Sequence, residues 1–255
     1  MALTDSEISY WKADESSGNA ADSIASNTLT NNGTAGYVAA LINNGFDLGS
    51  ANVSKYFNNA TNFGIAGTGD MSVSFWLKLT TDILASEWIF FAFRSTLTAD
   101  RYLQLGYQYN LGTRRLNLNA ANAFGTSNLT MGTSDWYFFV ITRASGSVNV
   151  YLNGNSTPVI TVAQSTATAG QNYLAFGNDG GSFGYVSGVF DELSIWSRAI
   201  TTTEISTLYN SGAGLQYPFA AGPSNLKSLN TNVKANIKSY NTNVLANIKS
   251  INTNT

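Results

Sequence analysis

Six residues in the middle of the chain have the types and spacing that suit hydrogen bonding to a sugar. They fall on one side of two short alternating segments and would share one face of two strands: Tyr102, Gln104, Gln108, Arg115, Asn117 and Asn119. Sugar sites combine aromatic platforms with planar polar groups, so these residues predict a glycan-binding face if the strands pair. An ordinary solvated sheet face is the alternative. The Gly- and aromatic-rich loop Asn178–Tyr185 is a second candidate site.

Side chains for catalysis are scarce. The chain contains no His, which excludes His-based catalysis and His-ligated metals. Retaining hydrolysis of a glycoside needs two carboxyl groups about 5–5.5 Å apart. The adjacent pairs Asp14-Glu15 and Asp191-Glu192 would point to opposite faces of a strand, and no Glu-x-Asp-x-x-Glu arrangement occurs. We therefore predict that the protein is not an enzyme, with a glycoside hydrolase as a remote alternative.

The composition narrows the possible partners. The 255 residues include no Cys and carry a net charge of -2. A basic surface for nucleic acid is therefore not expected. The absence of any run of about 20 apolar residues argues against a membrane-spanning segment. The N-terminal segment has neither a basic nor an apolar region, so we expect no classical export signal.

The segment Asp135–Gly154 predicts the hairpin around which the sheets are built. Residues 136–143 are apolar on both sides, which is typical of a strand between two layers. Residues 148–152 alternate between apolar and polar, which is typical of a strand with one wet face. Tight turns are predicted at residues 144–146 and at Asn153-Gly154. The side chains expected to be largely buried on one face of the first strand are Trp136, Phe138 and Val140.

Other short segments of this kind predict about a dozen strands, followed by one helix. Thr201 and Glu204 form a capping box, and Gly212 suits the C-terminal end of the helix. We therefore predict an all-β fold: a two-sheet antiparallel β-sandwich (jelly roll) with one short C-terminal helix at an edge and an extended repetitive tail. The predicted domains are residues 1–222 for the sandwich and 223–255 for the tail.

Four segments, in order, resemble the laminin G-like, concanavalin A-like jelly-roll family. They are YWKADESSGNAADS at 10–23, GDMSVSFWLK at 69–78, the central hairpin, and FDELSIWSRAITTTEISTLYNSG at 190–212. The resemblance covers about residues 7–215. It implies two packed antiparallel sheets and, most often, binding of glycans or proteins at cell surfaces. The family includes adhesion modules, pentraxins and phage virion proteins.

The resemblance also implies a metal site. Family members often hold one structural calcium on the outer sheet, and the matching positions are Asp22 and Asp191. We expect main-chain carbonyls of the neighbouring loops to complete the six to eight oxygen ligands that calcium requires. The alternative is that Asp22 caps a turn and that Asp191 hydrogen-bonds the main chain.

An 11-residue repeat makes up the tail. From residue 225 it reads NLKSLNTNVKA, NIKSYNTNVLA and NIKSINTNT, with four Lys and no acid. This period is typical of right-handed helical supercoils, but Asn, Thr and Ser favour local main-chain hydrogen bonds, so we favour extended segments. A disordered linker is a further alternative. If the tail is an anchor that packs on other chains, its contacts are Leu226, Leu229, Val233, Ile237, Tyr240, Val244, Ile248 and Ile251.

Together these features predict a non-enzymatic structural and binding protein, displayed on a larger, multimeric assembly through its tail. A surface-binding domain without an export signal would fit a phage virion. It would then be a head decoration, head fibre or tail-fibre-type protein at the virion surface, where it would bind host-surface glycans. The alternative is a secreted, extracellular bacterial carbohydrate-binding or adhesion module.

Overall fold

The computed structural model describes residues 2–49, 54–65, 68–83, 87–94, 101–121, 123–164, 173–179 and 184–219, with the main chain alone at 101 and 102. The strands are β1 Glu7–Trp11, β2 Thr30–Asn32, β3 Gly36–Ala39, β4 Asn44–Asp47, β5 Tyr56–Asn59, β6 Met71–Leu79, β7 Glu87–Arg94, β8 Arg101–Asn110, β9 Thr113–Ala120, β10 Ala123–Asn128, β11 Tyr137–Ala144, β12 Ser147–Leu152, β13 Ile160–Ala163, β14 Tyr173–Phe176 and β15 Gly188–Trp196. Helix α1, Thr202–Tyr209, follows and leads into a 3-10 turn at Asn210–Gly212. In this part of the chain no helix has the length and hydropathy needed to span a bilayer.

The strands form two antiparallel sheets. The eight-stranded sheet has the order β13-β12-β11-β6-β15-β4-β3, and β1 also pairs with β15. The seven-stranded sheet has the order β10-β9-β8-β7-β14-β5-β2. Neighbours in each sheet are often distant in sequence, because the chain passes repeatedly from one sheet to the other. The predicted fold class, a two-sheet antiparallel jelly roll with one short C-terminal helix, is confirmed.

Aromatic rings fill the space between the two sheets. Phe75 of β6 packs against Phe139 of β11 and Phe190 of β15, with ring centroids 5.4 and 5.7 Å apart. Across the sandwich, Phe75 lies 5.8 Å from Phe176 of β14, and Phe139 lies 5.6 Å from Phe90 of β7. Pairs of this kind contribute about 0.5–1.5 kcal/mol each beyond the burial of their area, so they tie the two sheets together.

The central hairpin lies inside the eight-stranded sheet, as predicted. β11 pairs with β12 on one side and with β6 on the other. Phe138 and Val140 are buried, but Trp136 is only half-buried, so the prediction of a largely buried Trp136 is wrong. The strand begins one residue later than expected, and the indole lies at the end of the sheet, where the Lys78 ammonium is 5.2 Å from its centroid.

Helix α1 covers the outer face of the eight-stranded sheet instead of an edge. Both arms of the predicted capping box are present at Thr201 and Glu204. The Tyr209 ring stacks 5.5 Å from the Trp76 ring of β6. At Gly154 an added Cβ would come within 2.6 Å of this tyrosine, so the hairpin turn needs glycine there. The helix ends with Asn210 in the left-handed conformation, and not with the predicted Gly212.

The chain divides into two units, Met1–Pro218 and Phe219–Thr255. The predicted tail, residues 223–255, and all eight of its apolar contact residues lie outside the described residues. The predicted conformation and role of the tail therefore stay predictions.

Candidate functional site

The polar residues predicted to bind a sugar lie on the outer face of the seven-stranded sheet. β8 pairs with β9, with Gln104 opposite Asn119 and Gln108 opposite Arg115. Their neighbours along the strands, including Leu105 and Leu118, are buried in the core, and alternation turns the polar side chains outward. The pairing on which the predicted site depends is therefore present. The side chain of Tyr102 lies outside the described residues.

This face differs from the open, solvated surface that its polarity suggests. Gln104 is 1% exposed and Asn117 is 2% exposed, whereas Gln108, Arg115 and Asn119 are half-buried. Among the described residues, neither Nε2 nor Oε1 of Gln104 has a hydrogen-bond partner. A buried polar group left in this way costs about 1–3 kcal/mol, and in a folded protein it calls for a water, an ion or another explanation.

A carboxylate also reaches this face. The Asn117 Nδ2 donates to Glu87 Oε1 at 3.2 Å and to Gln108 Oε1 at 3.3 Å. Asn117 lies opposite Gly106, where an added Cβ would meet Glu87 Oε1 at 3.0 Å. The missing side chain at Gly106 thus lets Glu87 of β7 extend across β8 to β9. Asn117 Oδ1 has no hydrogen-bond partner in the part of the chain that the structure describes, so this oxygen can still accept a hydrogen bond.

An exposed aromatic ring lies beside the polar cluster. β10 pairs with β9, which places Phe124 opposite Asn119, Thr126 opposite Asn117 and Asn128 opposite Arg115. The Phe124 side chain is 60% exposed. The ring and the nearby amides together supply the aromatic platform and planar polar groups of a sugar site. We call this surface the amide face and define it by Glu87, Gln104, Gln108, Asn117, Asn119 and Phe124.

Sequence reasoning missed two members of the amide face, Glu87 and Phe124. Glu87 directly precedes the apolar run at residues 88–93, and the signal for its position was Gly106, which interrupts the alternation of β8. Phe124 lies in a polar segment with few β-branched residues. A lone aromatic residue between short polar ones was the signal there.

The second predicted candidate, the loop Asn178–Tyr185, is only partly described, since residues 180–183 lie outside the described part of the chain. At its start, Asn178 and Asp179 are buried. Arg94 Nη2 donates to Asp179 Oδ2 at 3.0 Å and Nη1 donates to the Asp179 carbonyl at 2.8 Å. These contacts hold the loop against β7, which is a structural role.

Asp22, the first predicted calcium ligand, accepts main-chain hydrogen bonds with both oxygens. The amides of Tyr10 and Ile24 donate to Oδ1 at 3.1 and 2.9 Å, and the amide of Asn27 donates to Oδ2 at 3.2 Å. This geometry fits the alternative interpretation, in which Asp22 caps a turn. Within the described residues, no group of three or more acidic side chains is placed to hold a metal ion. The calcium site stays a prediction.

Asp191, the second predicted ligand, lies in a buried acidic cluster. Its Oδ2 accepts the Ile42 amide at 2.9 Å. Gln216 Nε2 donates to Glu192 Oε1 at 2.7 Å and to Asp14 Oδ2 at 3.0 Å. Burial is the largest cause that raises the pKa of Asp191 and of Glu192 to about 8, and the nearby Asp14 contributes to the rise at Asp191.

The position of these two carboxyl groups corrects a prediction. Adjacent residues in a regular strand point to opposite faces, but β15 has a bulge between Asp191 and Ser194, and Glu192 has a φ of 50°. The bulge turns Glu192 toward Gln216, so both carboxyl groups lie near Asp14. Since Asp191 is 0% and Glu192 is 3% exposed, neither has the access to substrate that catalysis needs.

Two antiparallel sheets with jelly-roll order and a polar, ring-bearing outer face define a lectin-like β-sandwich. More particularly, the chain belongs to the concanavalin A-like lectin/glucanases superfamily, because the laminin G-type family model of that description matches residues 49–206. Comparison with curated proteins gives no match.

Solved structures share this fold at low sequence identity. The binding domain of botulinum neurotoxin DC in complex with rat synaptotagmin II is 17% identical over 85% of this chain and 53% of its own, with a TM-score of 0.62. Domain 4 of AbnA, a GH43 extracellular arabinanase from Geobacillus stearothermophilus, in complex with arabinotriose, is 19% identical over 79% of this chain and 97% of its own, with a TM-score of 0.59. The chain thus spans about half the length of the neurotoxin binding domain.

Proposed function

We propose that this chain is a non-enzymatic carbohydrate-binding module that binds glycans on its amide face. The observation that carries the proposal is the exposed Phe124 ring beside the half-buried amide side chains of Gln108 and Asn119. The related folds support it, because one was solved with arabinotriose, and a further similar structure is described by the statement that cell entry of botulinum neurotoxin type C is dependent upon interaction with two ganglioside molecules. A sugar fits an aromatic ring beside amide groups, because its ring stacks on aromatic side chains and its hydroxyl groups both donate and accept hydrogen bonds.

A glycan array probed with the purified chain tests this proposal. We expect Phe124→Ala to lower the affinity for the bound glycans about tenfold or more, because burying a phenyl ring contributes on the order of 1.5–3 kcal/mol. Val38→Ala is the matched control, since Val38 is an exposed apolar residue on β3 of the other sheet. Equal loss in both variants, or no loss in Phe124→Ala, would contradict the assignment of the site.

We further propose that the repetitive tail attaches this module to a larger assembly, at the surface of a phage virion. The motivation is the 11-residue repeat, whose apolar residues recur at equivalent positions, as Leu226, Ile237 and Ile248 do. So polar a segment buries too little apolar surface to offset its own ordering entropy. A partner chain would supply the missing surface.

Deletion of residues 224–255 tests the tail proposal. We expect the truncated chain to fold with an unchanged melting temperature and to retain glycan binding, but to lose incorporation into the assembly. Incorporation is measured by co-sedimentation with virions. A truncated chain that still sediments with the particles would rule out the tail as the anchor.

A secreted bacterial carbohydrate-binding or adhesion module is the second candidate function. The match over 97% of domain 4 of an extracellular arabinanase favours it. The two candidates differ in what the full-length chain accompanies. A virion protein sediments with particles from a lysate, whereas a secreted module stays free in the culture medium or on the producing cells.

A further inference from the structure

We infer that the amide face selects neutral oligosaccharides and rejects acidic ones, an inference that rests on the proposed function. The charged side chains described on β7–β10 are few: Glu87, Arg94, Arg114 and Arg115. Two of the three arginines in this set form ion pairs within the domain. Arg94 binds Asp179 and Arg114 binds Asp82.

The remaining two charges oppose each other across the face. Glu87 lies opposite Gln108, and Gln108 lies opposite Arg115. The negative charge of Glu87 extends toward Asn117, in the middle of the polar cluster. The carboxylate of Glu87 would repel a ligand carboxylate or sulfate placed there.

The described side chains at the end of the face that carries the ring are neutral. The side chains of Phe124, Asn119, Thr126 and Gln104 bear no charge. Asn119 is half-buried, and its amide can both donate a hydrogen bond to a sugar hydroxyl and accept one from it. No cation is available at this end, among the described residues, to compensate an anionic sugar.

The charge of the whole domain acts in the same direction. The chain has a net charge of -2, and the four lysines of the tail leave -6 on residues 1–222. A field of this sign lowers the local concentration of anionic glycans. Long-range attraction therefore gives acidic ligands no advantage that would offset repulsion at Glu87.

The geometry also favours a ligand of several sugar units. Phe124 and Asn128 both point outward from β10 and are four residues apart, which corresponds to about 13 Å along a strand. Polar side chains of β9 follow the whole of this length. A short neutral oligosaccharide lying along β10 would contact both ends.

The test compares a neutral oligosaccharide found on the array with carboxylate-bearing oligosaccharides of the same length, in full-length protein at low and physiological salt. We expect the wild type to prefer the neutral ligand about tenfold or more, with the preference largest at low salt. Glu87→Gln keeps the size and an acceptor oxygen but removes the charge, so the preference should narrow. Arg115→Gln removes the opposite charge from the same face, so the preference for the neutral ligand should persist or widen.

Other outcomes separate this inference from the proposed function. If acidic glycans bind best and Phe124→Ala abolishes their binding, the site stands and the selectivity for neutral sugars is wrong. Weakening of that binding by Arg115→Gln would then identify the arginine as the anion contact. If the wild type binds no glycan on the array, both the proposed function and this inference fail.

Discussion

Glu87, Gln104 and Phe124 show where side-chain patterns predict a site and where they do not. Alternation placed Gln104 correctly on the outer face of its strand, because the period of a strand fixes the face. Alternation does not report burial, and Gln104 is 1% exposed. Glu87 and Phe124 join the site through pairing between strands, a relation between distant residues that a single sequence does not state.

The buried acids predict how stability depends on pH. Asp191 and Glu192 have pKa values near 8 in the folded chain, against 3.8 and 4.5 for ordinary groups. The folded chain therefore holds more protons than the unfolded chain between about pH 4 and 8, and its free energy of unfolding falls as the pH rises through this window. We expect a lower melting temperature at pH 9 than at pH 6.

The double variant Asp191→Asn, Glu192→Gln is the control for this pH dependence. Its amides mimic the protonated carboxyl groups, so the melting temperature should fall less between pH 6 and 9 than in the wild type. A wild type whose stability rises with pH over this range would show that these carboxyl groups are ionised in the fold.

The predicted calcium site makes a separate prediction at the residue scale. A structural calcium bound only by the folded chain would raise the melting temperature, and chelation would lower it. Asp191→Ala should abolish this response, whereas Asp22→Ala should destabilise the chain with or without calcium, because it removes the acceptor of three main-chain amides. A melting temperature that does not respond to calcium or to chelator would end the prediction.

At the scale of elements, the central hairpin could be predicted from the sequence, but the element that packs on its outer face could not. Apolar residues on both sides of β11 indicated a strand between two layers. The second layer proved to be the Tyr209 end of helix α1 and not a further sheet. The bulge at Glu192 escaped prediction as well, although the core residues Phe190, Leu193 and Ile195 are three and then two positions apart and so depart from regular alternation.

Phe138 tests how much the contact between helix and sheet contributes. Its ring is buried, 4.9 Å from Trp76 and 6.3 Å from Tyr209. We expect Phe138→Ala to lower the free energy of unfolding by about 3–5 kcal/mol, as measured by denaturant melts. Ser206→Ala, on the exposed side of α1, should change it by no more than about 0.5 kcal/mol. A loss below about 1 kcal/mol in Phe138→Ala would mean that the helix does not cover this strand.

At the scale of the whole molecule, four segments in the right order were enough to predict the sandwich. Each segment is short and weakly specific, but their order and spacing restrict the fold to one jelly roll, and the family match confirms it. The ligand does not follow from the fold, because one fold can host many unrelated functions and the function depends on the site. The proposed ligand therefore rests on the side chains of the amide face and not on the fold.

The most direct test of the amide face is to map the glycan on it by NMR. The measurement follows main-chain and side-chain amide shifts of the isotope-labelled chain during titration with an oligosaccharide that binds on the array. If the glycan binds the amide face, we expect the largest shifts on the side-chain amides of Gln104, Asn117 and Asn119 and on the main chain around Phe124. Largest shifts at the opposite sheet, around Val38 or helix α1, would contradict it.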